Sequence, residues 1–511
     1  MSAPILSKSK LIAYRQCPRR LWLEVNRPEL RQDSATTLAS FQVGYQVGDV
    51  ARRIYDPEQR GSVIDIKSEG FGAALRRSER LLQERRGPVF EAGFRADGVL
   101  ALADVLLPEE REGRSGWRMI EVKSSTSVKD YHRDDAAIQA FAAKAAGVEL
   151  TAVAVACIDS TWVYPGDGDY RGLLVETDLT EEVRVRAGEV SKWVEDARGI
   201  AMRKEEPDIE VGDHCTRPFA CGFCQHCASG QPQPEYPLDF LPALTSTQRG
   251  ALAALGVTDL RQAPDELLNP KQRRVKQHTR DQTTFFDAAG AAAALRGLEF
   301  PLHFLDFETA QFAVPVWRGT RPYQQIPFQF SLHRLAADGR LSHVSHLDLS
   351  GDDPSAGLAR ALVAACGEGG TVLAYNASFE ATRLSELAAR FPEQGGALDR
   401  IRGRIVDLLP ITRENFYHPS QNGSWSIKAV LPAVAPDLSY AALAGVNDGA
   451  AAVAAYHEAI NPATPAPRKQ EIAEQLTRYC ELDTLGLVRL WEFLTGGRFG
   501  PSPRSARSRN P

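Results

Sequence analysis

Between positions 89 and 124 apolar and polar residues alternate at a spacing of two, and that rhythm predicts successive strands. They are "VFEAGFR", a turn at Asp97-Gly98, "VLALADVLL", a loop "PEEREGRSG", and then "WRMIEVKSS". The period shifts to that of a helix in "DDAAIQAFAAKAAG". A second series begins near residue 299. "FPLHFLDFETAQF" reads as a short apolar strand, "TVLAYNASFEATRLSELAARF" as a buried strand, a turn and a helix, and "RIVDLLP" as another buried strand. "EIAEQLTRYCELDTLGLVRLWEFL" carries the stripe of a long amphipathic helix. Strands interleaved with helices place the chain in the α/β class.

Breaks in this pattern divide the chain. "ASGQPQPEYP" (228–237) marks a boundary, and "TPAPRK" near residue 464 reads as a loop. The expected organisation is a first unit over 1–230, a helical connector over 231–298, a second unit over 299–496 and a disordered basic tail over 497–511. In the connector, "LAALGVTDLRQAPDELL" has the helix–Gly–helix look of a helix-hairpin-helix element, which holds phosphates on backbone N–H groups. Plain packed helices are the preferred reading there.

A length of 511 residues exceeds one ordinary domain, and 43% apolar with 24% charged residues is the composition of a soluble globular protein. The longest apolar run, "VELTAVAVACI", is too short to cross a bilayer, and "MSAPILSKSK" has no apolar segment of a secretory signal. A cytoplasmic protein without a membrane partner is expected, and its eight cysteines then argue for metal rather than disulfides. A net charge of −5 gives no whole-chain signature of a nucleic-acid binder. It does not exclude one, because a carboxylate-rich nuclease site offsets basic grooves.

Candidate chemistry in the first unit sits on the strands. Glu121 and Lys123, two apart, project from one face, and Asp104 ends the preceding strand. Two carboxylates there suit Mg²⁺ or Mn²⁺, and an ammonium can position or deprotonate water and stabilise phosphorane charge. Glu91 can add a ligand. The bland alternative is a solvated meander with ordinary surface charges. Asp104, Glu121-Val-Lys123 and Gln139 on the next helix resemble the PD-(D/E)XK core of RecB-type nucleases. "SKSKLIAYRQCPRRLWL", which contains Cys17, resembles the opening helix of the CRISPR-associated, RecB-like iron–sulfur nucleases. The helix "FQVGYQVGDVARRIY" departs from that group by lacking its metal-ligating histidine, a role Glu91 would take over in part.

"CTRPFACGFCQHC" (215–227) packs four cysteines into thirteen positions. Cys215, Cys221, Cys224 and Cys227 alone could form a Cys₄ zinc site, while the run from Cys221 to Cys227 resembles part of a ferredoxin-type ligand set. The family resemblance implies a [4Fe-4S] cluster on Cys17, Cys215, Cys221 and Cys227, leaving Cys224 spare; zinc stays the alternative. His214 and His226 read as flanking residues, Cys157 and Cys366 as core.

In the second unit, Asp306 and Glu308 share a strand face, Asn376 and Glu380 stand at a strand-to-helix junction, Asp407 ends a strand, and Tyr479 and Asp483 share a helix face. Taken singly each has an ordinary structural reading. In this order they resemble the DEDD exonucleases of the DnaQ class, tyrosine variety, on a ribonuclease-H-like fold. That resemblance implies two divalent ions held by the carboxylates, a water oriented by Tyr479, and 3′ to 5′ digestion. "NASFE" ends in Glu where the class has Asp, so either Glu380 or Asp407 completes the set. With "GSWSIKAVLP", "LSYAAL" and "YCELDT", nearly the whole chain is similar to a largely uncharacterised bacterial family that fuses a RecB-like nuclease to a DnaQ-like exonuclease. The expectation is a two-metal deoxyribonuclease acting on DNA ends or single strands in repair or defence. Still open beside it are an RNA-processing exonuclease and a nucleic-acid binder with one degenerate unit. Lys428 and His333 are expected either to touch the nucleic-acid backbone or to be exposed polar residues, and Trp425 either to stack a base or to fill a gap.

Overall fold

The computed structural model describes residues 4–111, 113–230 and 234–497; the tail expected beyond these lies outside the described residues. The protein is mixed α/β and divides into two units. The first takes the described part of Met1–Pro232 together with Phe312–Gln324. The second takes the described parts of Gln233–Gln311 and Gln325–Pro511. Among the described residues no helix is long and apolar enough to cross a membrane.

The first unit is built on a mixed sheet of β1 (Leu6–Ser7), β2 (Ser62–Val63), β3 (Val89–Ala96), β4 (Val99–Arg111), β5 (Arg114–Lys123), β6 (Leu150–Ile158) and β7 (Leu174–Asp178). The strand order is β2-β3-β4-β5-β6-β7, with β1 parallel to β4. Strands β3, β4 and β5 form an antiparallel meander. Its first turn has positive φ at both Asp97 (49°) and Gly98 (82°), the backbone of a tight hairpin. Strands β5 and β6 pair in parallel, which requires a crossover, and the helix Asp130–Ala145 supplies it. Its buried face is largely alanine (136, 137, 140, 142 and 143), so it packs closely on the sheet core of Phe94, Met119 and Val153.

Where a loop "PEEREGRSG" was expected, the β4–β5 ladder continues from Pro108–Trp117 out to Arg111–Arg114. Polar residues disguise this extension, because beyond the core the ladder has no apolar face to bury. Glu109 is held from β6, one strand beyond β5, by Thr151 Oγ1 at 2.7 Å.

The second unit contains β8 (Phe285–Phe286), β9 (Leu302–Ala310), β10 (Ile326–Leu335), β11 (Leu341–Leu347), β12 (Val372–Ala374), β13 (Ile405–Asp407) and β14 (Phe416–Tyr417). Five of these form one sheet in the order β11-β10-β9-β12-β13, and β8 pairs with β14. Strand β9 lies at the centre, antiparallel to β10 and parallel to β12. Both faces of β9 are covered, which explains its nearly continuous apolar run. Leu305 and Phe307 enter one core with Leu358, Leu384 and Leu398, whereas Leu302 and Phe304 enter another with Leu487, Leu490 and Trp491 of the helix Ala466–Thr495. Alternation therefore turns Asp306 and Glu308 to the side of that helix.

The connector packs within the second unit. The helix-hairpin-helix candidate is one helix, Ser246–Ala254, followed by two short 3₁₀ turns, Leu260–Gln262 and Asp265–Leu267. Pro264 caps the second turn, and Leu252, Leu260, Ala263 and Leu268 are buried together, in line with the packed reading.

Candidate active site

The second unit gathers its candidate residues from three elements. Asp306 and Glu308 come from β9. Glu380 stands in the first turn of the helix Ser378–Arg390, after a chain reversal in which Asn376 takes φ of 64°. Tyr479, Cys480 and Asp483 lie on the buried stripe of Ala466–Thr495. Donor atoms of Asp306, Glu308 and Cys480 all lie within 4.8 Å of one another, and Cys480 Sγ is 3.8 Å from Asp306 Oδ2. Asp483 Oδ1 accepts a 2.6 Å hydrogen bond from the Tyr440 hydroxyl.

The electrostatics of this centre are those of a site short of positive charge. Burial, then the charges of Asp483, Glu308 and Glu380, drives the Asp306 carboxyl far above its usual range. Burial and Asp483 push Glu308 up to about 8. Burial lifts Glu380 to about 7 and Asp483 to about 6. Lys428 opposes this for Glu308 and Asp483, with its ammonium over the rings of Tyr440 and Tyr479 at 5.0 and 4.9 Å. Glu380 Oε2 is buried with no hydrogen-bond partner among the described residues. Three buried carboxylates and the half-buried Asp306, one oxygen of the set unmatched, fit a divalent cation, because uncompensated buried charge is expensive.

Of the two candidates to complete this set, Glu380 is the one whose charge bears on Asp306. Asp407 caps the helix Leu408–Asn415, its Oδ1 accepting from the N–H groups of Leu409 and Asn376, both at 2.9 Å, and its charge raises Glu380. Its place beside the cluster is that of a positioning residue.

Two of the residues here were not singled out from sequence. Cys480 lies three positions before Asp483, a helical spacing that marked it as a neighbour of the carboxylates. Tyr440 sits in a short 3₁₀ turn 43 residues before Asp483, with no local signal linking them. Tyr440→Phe removes a hydrogen bond that holds the Asp483 carboxyl down, so its pKa rises. Half-saturation by Mn²⁺ at pH 6 should then require about 10-fold more metal, and calorimetric titration of the two proteins checks this.

Trp425 takes its gap-filling reading, whereas His333 is buried where an exposed side chain or a strand contact was expected. His333 is buried on Thr484, with Nδ1 2.8 Å from Oγ1, and Ser331 Oγ lies 2.7 Å from the same hydroxyl. Trp425 is buried too, donating Nε1–H to the Phe416 carbonyl at 2.8 Å. Neither ring is open to a strand, because β10 and the "GSWSIK" segment both turn them into the core.

The first unit assembles a differently balanced centre. The β4–β5 ladder stops at Val105–Ile120, and the next amide, Val122 N–H, donates to the Asp104 carboxylate at 2.7 Å. Glu121 Oε1 accepts from the ammoniums of Lys8 and Lys123, both at 2.7 Å, and Oε2 accepts from Gln139. Asp135 binds both lysines as well. Burial alone would raise Glu121, but Lys123 and Lys8 hold it below its usual range. Asp104 is driven well up by burial and by Glu121, against the two lysines. Glu91 lies between the pairs Phe90–Val105 and Ala92–Ala103 with φ of 58°, a strained backbone for a residue with a Cβ. Burial and the charge of Glu121 raise its carboxyl, while Arg52 opposes them. Lys8 and Asp135 were not singled out from sequence; Lys8 is separated from Glu121 by 113 positions.

Five of the six cysteines of the first unit line one small cavity: Cys17, Cys215, Cys221, Cys224 and Cys227. Cys17 follows the helix Lys8–Gln16, and Gln16 Nε2 donates to the carbonyls of His214 and Phe219 at 2.7 and 2.8 Å, tying that helix to the cysteine loop. Burial raises the thiols of Cys221 and Cys224 and pushes that of Cys227 up to about 11. His226 pairs with Glu206 at 3.2 Å, a flanking role. Cys157 and Cys366 are buried away from this cavity in apolar cores. Five thiols lining one cavity are a donor set that suits a thiophilic metal or cluster.

Comparison with protein families finds one match: residues 303–426 fit a model described as "Domain of unknown function (DUF2779)". That span contains Asp306, Glu308, Glu380 and Asp407. No curated protein matches the chain.

Proposed function

We propose that this protein is a divalent-metal-dependent nuclease hydrolysing phosphodiester bonds of DNA ends or single strands. One observation carries the reading: half-buried Asp306 and buried Glu308, Glu380 and Asp483 converge, undercompensated, beside Tyr479. The strand order β11-β10-β9-β12-β13, with only β10 antiparallel to the rest, supports a ribonuclease-H-like fold of the DnaQ class. Divalent cations on these carboxylates would supply Lewis acidity and lower the pKa of an attacking water. The chain's own part is to hold the carboxylates in place, to keep a phenol beside them and to exclude bulk water. Polarity from the 3′ end comes with the DnaQ likeness.

The first unit is proposed to be RecB-like, with a PD-(D/E)XK centre of Asp104, Glu121 and Lys123 closed by a [4Fe-4S] cluster. The meander β3-β4-β5 followed by a helix and a parallel β6 supports it. So does the cavity lined by Cys17, Cys215, Cys221, Cys224 and Cys227, which brings the thiol near the start of the chain to those of the later segment. The saturation of Glu121 by two ammoniums favours a second reading for this unit alone, in which it grips the strand without cutting.

Digestion of a labelled DNA strand by Asp306→Asn and by the double variant with Glu121→Gln separates the two. Cutting that survives the first change and disappears with the second assigns hydrolysis to both units. If Asp306→Asn alone leaves nothing to lose, the first unit is a binding module. Wild-type turnover on RNA but not DNA would replace the substrate class.

A further inference from the structure

The acidic centre contains a group that oxygen-only chemistry leaves unused. Cys480 is fully buried, one turn before Asp483, and its sulfur lies 3.8 Å from Asp306 Oδ2 and within 4.8 Å of a Glu308 oxygen. A thiol among carboxylates makes poor hydrogen bonds and fills space that an alanine or serine would fill with less conflict. The same centre holds Glu380, 3% exposed, whose Oε2 has no hydrogen-bond partner among the described residues and whose charge falls on Asp306. A buried, unmatched carboxylate oxygen on a residue whose charge reaches this sulfur–carboxylate triad points to a cation as the missing partner.

We infer that Cys480 is a metal ligand, and that the ion shared by Asp306, Glu308 and Cys480 is a borderline-soft divalent cation of the zinc or cobalt kind in preference to magnesium. The inference rests on the nuclease reading of this centre and adds the identity of one ion. Magnesium favours hard oxygen donors in near-octahedral array, whereas thiolate donors select later, softer ions. Binding forms a sulfur–metal bond as the thiol proton passes to solvent; nothing is oxidised or reduced. Glu380 and Asp483 contribute only oxygen, so the centre is chemically lopsided, soft on the Cys480 side.

Cobalt(II) is the probe, because sulfur ligation gives a charge-transfer absorption that oxygen ligands do not. Full-length wild type, Cys480→Ser and Asp306→Asn are titrated with Co²⁺ in parallel. Difference spectra cancel any signal from the cysteines of the first unit. The expected result is that both variants lose the same component of the spectrum, and that Cys480→Ser binds Co²⁺ about 10-fold or more weakly. Cys480→Ala, with circular dichroism of each protein, covers the case in which serine disturbs the helix. Asp306→Asn keeps the thiol and must still lose the band. An unchanged spectrum in Cys480→Ser overturns the inference. If Asp306→Asn nevertheless abolishes digestion, the nuclease reading stands without it; if Asp306→Asn changes neither spectrum nor digestion, both fall.

Discussion

Asp306→Asn should abolish metal-dependent digestion by the second unit while making the metal-free protein more stable. The first effect follows from losing a ligand at the heart of the cluster. A cation that stabilises transition-state charge contributes several kcal/mol, and a loss of about 4 kcal/mol is roughly a thousandfold in rate. The second follows from linkage. Asp306, Glu308, Glu380 and Asp483 all have carboxyls raised in the fold, chiefly by burial. A raised acid stabilises the fold below its unfolded pKa, and that contribution disappears as pH rises through the folded value. For Asp483, Glu380 and Glu308 the loss runs from about pH 4 through values of about 6, 7 and 8. The metal-free wild type should therefore melt at lower temperature at pH 8 than at pH 5. Asp306→Asn should flatten that slope, and Mn²⁺ should restore the wild type alone. Thermal melts across this pH range check it; equal slopes in both proteins would refute the assignment of uncompensated charge.

Cys17→Ser should yield a colourless protein with an unstable first unit. Cys17 stands between two helices, Lys8–Gln16 and Pro18–Asn26, about two hundred positions from the cysteines at 215–227 that line the same cavity. A cluster bridging these points closes a loop of most of the unit, restricting the unfolded chain, and its binding energy is folding energy. Its loss leaves buried thiols, with hydrogen bonds such as Gln16 to His214 and Arg19 to Ile209 to hold the segments together. Iron content, visible absorbance and the first melting transition should all fall together. Full colour and iron in Cys17→Ser would show that the four clustered cysteines suffice.

How much of this was legible in the sequence depends on distance along the chain. Asp306 with Glu308, Glu121 with Lys123, and Tyr479 with Asp483 are linked by the periods of strand and helix, so each pair could be placed on one face before any fold was known. Whether Glu380 or Asp407 bears on Asp306 could not be read that way, because the answer turns on a left-handed Asn376 and on which carboxylate the backbone amides occupy. Lys8 was hidden by separation: an ammonium 113 residues from its carboxylate has no local signature. Cys480 is visible in spacing, three positions before Asp483, but a single cysteine on a helix carries no signal of its own that it faces carboxylates on another element. "PEEREGRSG" misled because a ladder that buries nothing has the composition of a loop. The segment Phe312–Gln324, which belongs with the first unit although the strands on either side belong to the second, carries no compositional break at all.

The measurement that tests the central claim most directly is digestion of a 5′-labelled single-stranded DNA with and without Mn²⁺, wild type beside Asp306→Asn. The account predicts a ladder shortening from the 3′ end that requires metal and is absent from the Asp306→Asn lane. A strand left intact by wild type at every metal concentration, or shortened equally by both proteins, would contradict it.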